Sequence, residues 1–288
     1  MKYKDRQGNL FEKTTGQDKF LRSLYTKKIG RAFIWVLTRP FITKIGGFYL
    51  SRRISKIHIK RFIKKQNINM DEYLPQEYKS YNDFFTRPIK PEYRPIEMRP
   101  NVLISPADGK VTAYKIGENT SFEIKNSRYT VESILQDKDL ADEYRGGWCV
   151  IVRLTVDNYH RYCYVDNGTV FNSCYIKGIF HTVNPIAVEE KDVYKENSRE
   201  YTVIQTENFG MVTQIEVGAT MVGRIVNYPV TEPVRKGQEK GKFEFGGSTV
   251  VLLLQKDAVA IAEDIVQNTI EGCETLVKMG EPIGEKKI

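Results

Sequence analysis

The sequence predicts an α+β protein: N-terminal amphipathic helices followed by a mostly antiparallel, β-rich domain. Three observations predict it. Large apolar residues recur at three-and-four spacing through a basic stretch that runs from about Phe20 to Ile63. From Val102 onward, short runs of β-branched and aliphatic residues are punctuated by Gly and Asn-Gly with few helical patterns between them, which favours antiparallel pairing over a βαβ nucleotide fold. A chain of 288 residues with 41% hydrophobic content is also long and apolar enough to bury a sizeable core, which excludes a disordered chain. The division expected is residues 1–95 as a basic helical region with its connector, and residues 96–288 as the β-rich domain.

The first segment, Met1 to Gly16, is polar and is expected to be loosely held. The basic stretch follows. Between Lys19 and Met70 there are fourteen Lys or Arg and no Asp or Glu, while the whole chain carries only +8, so the remainder is net acidic. A basic arm on an acidic body points to a polyanion, either nucleic acid or an anionic membrane. Ile29, Phe33, Trp35, Leu37, Phe41, Ile45, Phe48, Ile54, Ile57 and Phe62 interleave with the charges, and Pro40 and Gly46-Gly47 are expected to divide the stretch into three helices. Arg31, Arg39 and Lys44 interrupt its most apolar part, leaving no run near the about 18 residues a spanning helix requires. Basic helices with Trp, Phe and Ile on one face suit the headgroup boundary of a membrane, and the aliphatic richness argues against nucleic acid. The alternative is helices packed on the body with solvated Lys.

Tyr81 to Ile96 is a proline-punctuated connector, since Pro88, Pro91 and Pro95 exclude a regular helix there. Strands are expected at Val102–Ile104, Lys110–Tyr114, Cys149–Val156, Thr169–Ile176, Thr202–Gln205, Met211–Val217 and Val250–Leu254. Cys149, Cys163, Cys174 and Cys273 show no CxxC spacing, which suggests free thiols in a reducing compartment and gives no sign of zinc.

The stretch Phe243-Glu244-Phe245-Gly246-Gly247-Ser248-Thr249 has an ordinary reading as a turn or strand bulge. It also has a chemical one. Gly247 has no Cβ to shield its carbonyl, so the Ser248 hydroxyl can attack it and shift the acyl group from nitrogen to oxygen. Elimination of that ester across Cα–Cβ leaves dehydroalanine, which hydrolyses to ammonia and an N-terminal pyruvoyl group.

Two runs carry a family resemblance. Lys236-Gly237-Gln238-Glu239-Lys240-Gly241-Lys242-Phe243 ahead of Gly247-Ser248-Thr249 and an apolar strand resembles the cleavage region of the pyruvoyl-dependent phosphatidylserine decarboxylases. Phe84-Phe85-Thr86-Arg87 resembles the signature that precedes their catalytic part. Ser105-Pro106-Ala107-Asp108-Gly109-Lys110 reads by itself as a turn, and the resemblance implies instead that Asp108 is the carboxylate of an Asp-His-Ser relay that drives self-cleavage. The family motif Asp-Tyr-His-Arg-x-His stands here as Asn158-Tyr159-His160-Arg161-Tyr162-Cys163, so the relay imidazole is replaced by a thiol, a poor base at neutral pH. His181, in Phe180-His181-Thr182-Val183-Asn184-Pro185, is the expected substitute, with His160 or Cys163 as the other options. The remaining histidine, His58, reads as a surface residue of the basic arm.

The resemblance implies that His160 protonates Cα after CO2 is lost, and that Arg161 and Tyr159 contact the substrate. It implies phosphatidylserine converted to phosphatidylethanolamine and CO2, with the pyruvoyl group from Ser248 as cofactor and neither PLP nor metal. Cleavage after Gly247 would yield a β chain of residues 1–247 and an α chain of residues 248–288. The expected partners are those two chains, an anionic membrane surface and phosphatidylserine, with a homodimer as an option and no nucleic acid. The expected location is peripheral, on the cytoplasmic face of the cell membrane. Other readings are a related pyruvoyl decarboxylase acting on a different serine-headgroup lipid or an amino acid, and a non-processing membrane-binding protein of the same fold. The Pro106–Val111 and Lys236–Gly241 segments resemble lipoyl-carrier hairpins, but no attachment turn is present.

Overall fold

The computed structural model describes residues 2–12, 38–124, 127–179, 181–182, 193–219, 224–244 and 248–287. The helical pattern expected from Phe20 to Leu37 lies outside these residues. The strands are β1 (Lys2–Lys4), β2 (Leu10–Glu12), β3 (Val102–Ile104), β4 (Gly109–Lys115), β5 (Ser121–Ile124), β6 (Ser127–Thr130), β7 (Trp148–Leu154), β8 (Arg161–Cys163) and β9 (Gly168–Ile176). They continue as β10 (Arg199–Thr206), β11 (Met211–Gly218), β12 (Ile225–Asn227), β13 (Glu239–Phe243), β14 (Ser248–Leu254), β15 (Val259–Ile261), β16 (Glu274–Val277) and β17 (Pro282–Lys286).

Nine of them form one sheet in the order β2-β1-β16-β4-β7-β14-β11-β10-β9, and its pairs are antiparallel except β1 with β16. β14 lies inside this sheet between β7 and β11, and all seven of its residues, Ser-Thr-Val-Val-Leu-Leu-Leu, are buried. The reason is the period of two: Val250, Leu252 and Leu254 join Val150, Val152 and Val212 in one core, while Val251 and Leu253 join Cys149, Ile151 and Ile215 in the other. A central strand covered on both faces therefore reads as a continuous apolar run, and each such side chain contributes about 1.5–3 kcal/mol by leaving water. Two smaller three-stranded sheets, β12-β13-β8 and β15-β17-β3, complete the region around the start of β14.

Every strand expected from the sequence forms, with ends shifted by at most three residues and Val102–Ile104 matching at both ends. Two expectations are corrected. Residues 2–12 are not loosely held: β1 and β2 extend the edge of the large sheet, and Lys4 reaches Glu271 at 2.6 Å. Gly46-Gly47 does not divide the basic stretch, because α1 (Pro40–Leu50) runs through it, with Pro40 at the first turn where its missing N–H is harmless.

α2 (Ile59–Gln66) ends where Asn67 turns left-handed at φ 51°. α3 (Tyr81–Phe85) is capped by Ser80, whose Oγ accepts the Asp83 N–H at 3.1 Å, and stops before the first connector proline. Phe84 and Phe85 are fully buried in a small cluster with Ile59 and Tyr81, so the connector is core rather than linker. α4 (Val131–Leu135), α5 (Lys138–Asp142) and α6 (Val193–Glu196) are short. α7 (Glu263–Ile270) packs against β4, where the Ala113 N–H donates to Thr269 Oγ1 at 3.1 Å. Among the described residues no helix is long and apolar enough to cross a membrane.

Candidate active site

Ser248 opens β14 and is paired on one side with Gly218 of β11 and on the other with Leu154 of β7. Its Oγ is buried without a hydrogen-bond partner among the described residues. A buried hydroxyl left unpaired is uncommon and costs about 1–3 kcal/mol, and the Thr249 hydroxyl beside it shares that condition. Gly247, with Phe245 and Gly246, lies outside the described residues. What leads into and out of this junction is nevertheless well placed. On the near side, the Phe243 N–H donates to the His160 carbonyl at 2.9 Å; on the far side, Ser248 pairs with Leu154. Both ends of the 244–247 link are thus tied to one stretch, residues 154–160, and His160 is the residue on which that stretch ends.

The His160 imidazole is fully buried and stacks on Phe85 at 4.0 Å between ring centroids. Burial, helped by the nearby Arg87 charge, pushes its pKa down to about 3, against a weaker upward pull from the Asp157 carboxylate and the Val156 and Thr155 backbone. Neither ring nitrogen meets hydrogen-bond geometry with a partner. The ring is therefore neutral near pH 7, with one N–H to give and one lone pair to accept a proton.

Asp108 sits at the turn into β4, where Gly109 follows because an added Cβ would lie 2.8 Å from the Arg153 carbonyl of β7. Its carboxylate is held on all sides. Arg94 Nε donates to Oδ1 at 2.7 Å and Nη2 to Oδ2 at 2.6 Å; the Met279 N–H donates to Oδ1 at 2.9 Å and the Tyr159 N–H to Oδ2 at 3.4 Å. Asp108 thus meets the His160 segment through the backbone of the preceding residue, and its strongest partner is a guanidinium rather than an imidazole.

Cys163, at the position of the family's relay histidine, is buried, and burial raises its thiol pKa to about 12. It is neutral at physiological pH and has no thiolate to act as a base. Its N–H donates to the Pro106 carbonyl at 2.9 Å, which ties β8 to the Asp108 turn. Asn158 fills the place of the family's opening Asp with an acceptor that needs no charge: Oδ1 takes the Thr155 N–H at 2.7 Å and the Thr155 hydroxyl at 2.9 Å. Arg161 is engaged on both sides, donating to the Thr86 carbonyl and to Glu239 Oε1, each at 2.8 Å. Tyr159 is buried with Tyr73 and Ile89, and burial raises its pKa.

His181 lies on the other side of Ser248. Its backbone N–H donates to Asn197 Oδ1 at 2.8 Å, while Asn197 Nδ2 donates to the carbonyls of His181 and of Gly218, at 2.8 and 2.7 Å. Asn197 therefore links His181 to the residue directly paired with Ser248. The His181 ring itself faces Glu196, with Nε2 3.2 Å from Oε2. The Val183-Asn184-Pro185 segment after it lies outside the described residues.

Several residues of the site carry no role of their own in the sequence reading, although Phe85 and Lys240 stand inside the runs that resemble the family. Phe85 and Arg94 lie in the connector, and Asn197 in an unremarkable Glu-Asn-Ser run. A buried network also flanks β14, in which Lys240 Nζ donates to Glu216 Oε2 at 2.6 Å and Tyr162 donates to Asn227 Oδ1 at 2.9 Å. Glu216 stands out as a charge in the mostly apolar β11, but Lys240 is one of three charged residues in β13, and pairing the two required the tertiary structure. Among the described residues no cluster of His, Cys, Asp or Glu is arranged to hold a metal ion.

The fold is that of an α+β protein in which a buried central strand opens at a serine that follows Gly-Gly in the sequence. The chain belongs to the phosphatidylserine decarboxylase family, whose model matches residues 81–285. It is 46% identical over 267 residues to phosphatidylserine decarboxylase proenzyme 2 of Clostridium acetobutylicum, covering 92% of this chain and 91% of that one. It is 41% identical over 295 residues to the phosphatidylserine decarboxylase proenzyme of Clostridium botulinum strain 657, covering all of both chains. The proenzyme of Clostridium perfringens strain ATCC 13124 is 40% identical over 274 residues, 93% of each.

Proposed function

We propose that this chain is a proenzyme that cuts itself between Gly247 and Ser248 and then converts phosphatidylserine to phosphatidylethanolamine and CO2. The observation that carries the reading is the Ser248 hydroxyl, buried without a partner at the first residue of β14, with both ends of the junction anchored on residues 154–160. An unsolvated hydroxyl with no competing acceptor is free to attack the neighbouring carbonyl once a base takes its proton. Ester formation, elimination and hydrolysis then leave a pyruvoyl group at residue 248. That group supplies the electron sink for loss of CO2.

The surrounding residues divide the remaining work. His160, neutral and dry at rest, is the candidate to take up a proton on its free ring nitrogen and deliver it from the imidazolium to the carbon that loses CO2. His181 is the candidate base for self-cleavage, supported by its link through Asn197 to the partner of Ser248. Asp108, gripped by Arg94, accepts the Tyr159 N–H and so ties the turn into β4 to the segment that carries His160, the position from which it would serve as the carboxylate of the relay. Arg161 and Tyr159 serve the substrate by fixing the wall of the site, since their polar atoms are already engaged within the protein.

The lipid substrate is supported by the surface of the basic stretch. Phe48, Ile54 and Ile57 are 62%, 64% and 70% exposed. They stand among Arg52, Arg53, Lys56 and Lys60, all exposed as well. Apolar side chains ringed by cations suit an anionic membrane surface, which supports a peripheral location on the cytoplasmic face. Ser248→Ala tests the reading directly. Wild-type chain separates into two bands under denaturing conditions and its α chain has the mass of a pyruvoyl terminus, while Ser248→Ala remains one inactive chain. A Ser248→Ala chain still split at 247/248 refutes it.

A further inference from the structure

Arg87, the last residue of the Phe-Phe-Thr-Arg run, is 1% exposed, yet among the described residues no carboxylate pairs with it. Its Nη1 donates to the Phe84 carbonyl at 3.2 Å, and its guanidinium lies 4.0 Å over the Tyr73 ring and 4.6 Å from that of Phe84. Among the described residues no partner meets hydrogen-bond geometry with Nε and Nη2, the edge that forks onto two oxygens at once, and the Tyr73 hydroxyl is near enough for the Arg87 side chain to pull its pKa down against the larger effect of burial. The acids that might have served are committed elsewhere, Asp108 and Glu72 both to Arg94. An unpaired buried guanidinium is costly, and aromatic faces offset only part of that cost. It also belongs to the site, because Phe85, two residues earlier, stacks on His160, and the Arg87 charge is felt at that ring.

We propose that Arg87 is the anion-binding residue of the active site, and that its free Nε–Nη2 edge takes two oxygens of the substrate's phosphodiester. This rests on the decarboxylase reading above. Phosphatidylserine offers two anions, and the reaction distinguishes them. The carboxylate leaves as neutral CO2, so a fork on it would hold the ground state more tightly than the transition state and oppose the reaction. The phosphodiester keeps its charge throughout, so a fork there binds substrate and transition state alike and positions the headgroup. A bound phosphodiester would also oppose the effect of the Arg87 charge on His160, making that ring easier to protonate when substrate is present.

The test uses processed enzyme and two soluble inhibitors: glycerophosphoethanolamine, which has a phosphodiester but no carboxylate, and free serine, which has a carboxylate but no phosphate. In Arg87→Met, cut to two chains, KM for phosphatidylserine should rise at least about tenfold and inhibition by glycerophosphoethanolamine should weaken equally, while inhibition by serine is unchanged. Arg87→Lys keeps the charge without the fork and should fall between; it carries the test if Arg87→Met does not fold. Weakening confined to serine would make the carboxylate the bound anion and overturn the assignment. So would Arg87→Lys behaving as wild type, or glycerophosphoethanolamine failing to inhibit the wild type. Wild-type chain that never cuts or turns over sinks the decarboxylase reading itself, whereas an active wild type with indistinguishable Arg87 variants sinks only this assignment.

Discussion

Arg94 and Asp108 are joined by two parallel hydrogen bonds of 2.7 and 2.6 Å in a buried position, and this fork fastens the connector to the turn that leads into β4. Removing one partner strands the other. Arg94→Met should therefore destabilise the chain by about 3–5 kcal/mol, measured by urea unfolding in a Ser248→Ala background that keeps one polypeptide. Adding Asp108→Asn to Arg94→Met should recover part of the loss. Additive losses in the double variant would mean the two residues are not coupled.

The two buried histidines are separable by what fails. His181→Ala should accumulate uncut proenzyme and Cys163→Ala should cut nearly normally, because a thiol with its pKa near 12 was never the base. His160→Ala should be cut yet turn over poorly. Cleavage of His181→Ala at the wild-type rate removes it from the relay, and His160 alone would then have to serve both steps, its substitution abolishing each.

A pH dependence follows from His160. Its ordinary pKa of 6.5 falls to about 3 in the folded chain, so above pH 6.5 neither state carries the proton and the fold has its full stability. As pH falls from 6.5 towards 3, the unfolded chain takes up a proton that the folded chain excludes, and stability drops by up to about 1.4 kcal/mol per pH unit. His160→Gln in the Ser248→Ala background should show a shallower decline of Tm between pH 6.5 and 5. Parallel curves for the two chains would mean that another group titrates in that window.

The exposed basic surface predicts binding to vesicles that rises with anionic lipid and weakens with salt. Neutralising Arg52, Arg53, Lys56 and Lys60 together should weaken it by up to about 1 kcal/mol per charge, read by vesicle co-sedimentation. Equal binding to neutral and anionic vesicles would leave only the insertion of Phe48, Ile54 and Ile57 to account for attachment.

The sequence by itself determined the class of fold, the strands on either side of the Gly-Ser junction and the family, because each is written in neighbouring residues. Alternating or continuous apolar runs fix which faces are buried, and Gly-Ser is a covalent fact. It also exposed the missing relay imidazole, since Cys163 stands in a recognisable motif. Only the tertiary structure decided who faces whom. Asp108 looked like the partner of a histidine and is gripped by Arg94; Arg161 looked like a free fork and is tied to Thr86 and Glu239. The connector looked like a linker because its prolines forbid a long helix, yet it places Phe85 against His160 and leaves Arg87 buried without a counter-ion. Which carboxylate or ring meets a given charge depends on strand register and on packing between segments dozens of residues apart, and local patterns along a chain do not encode those distances.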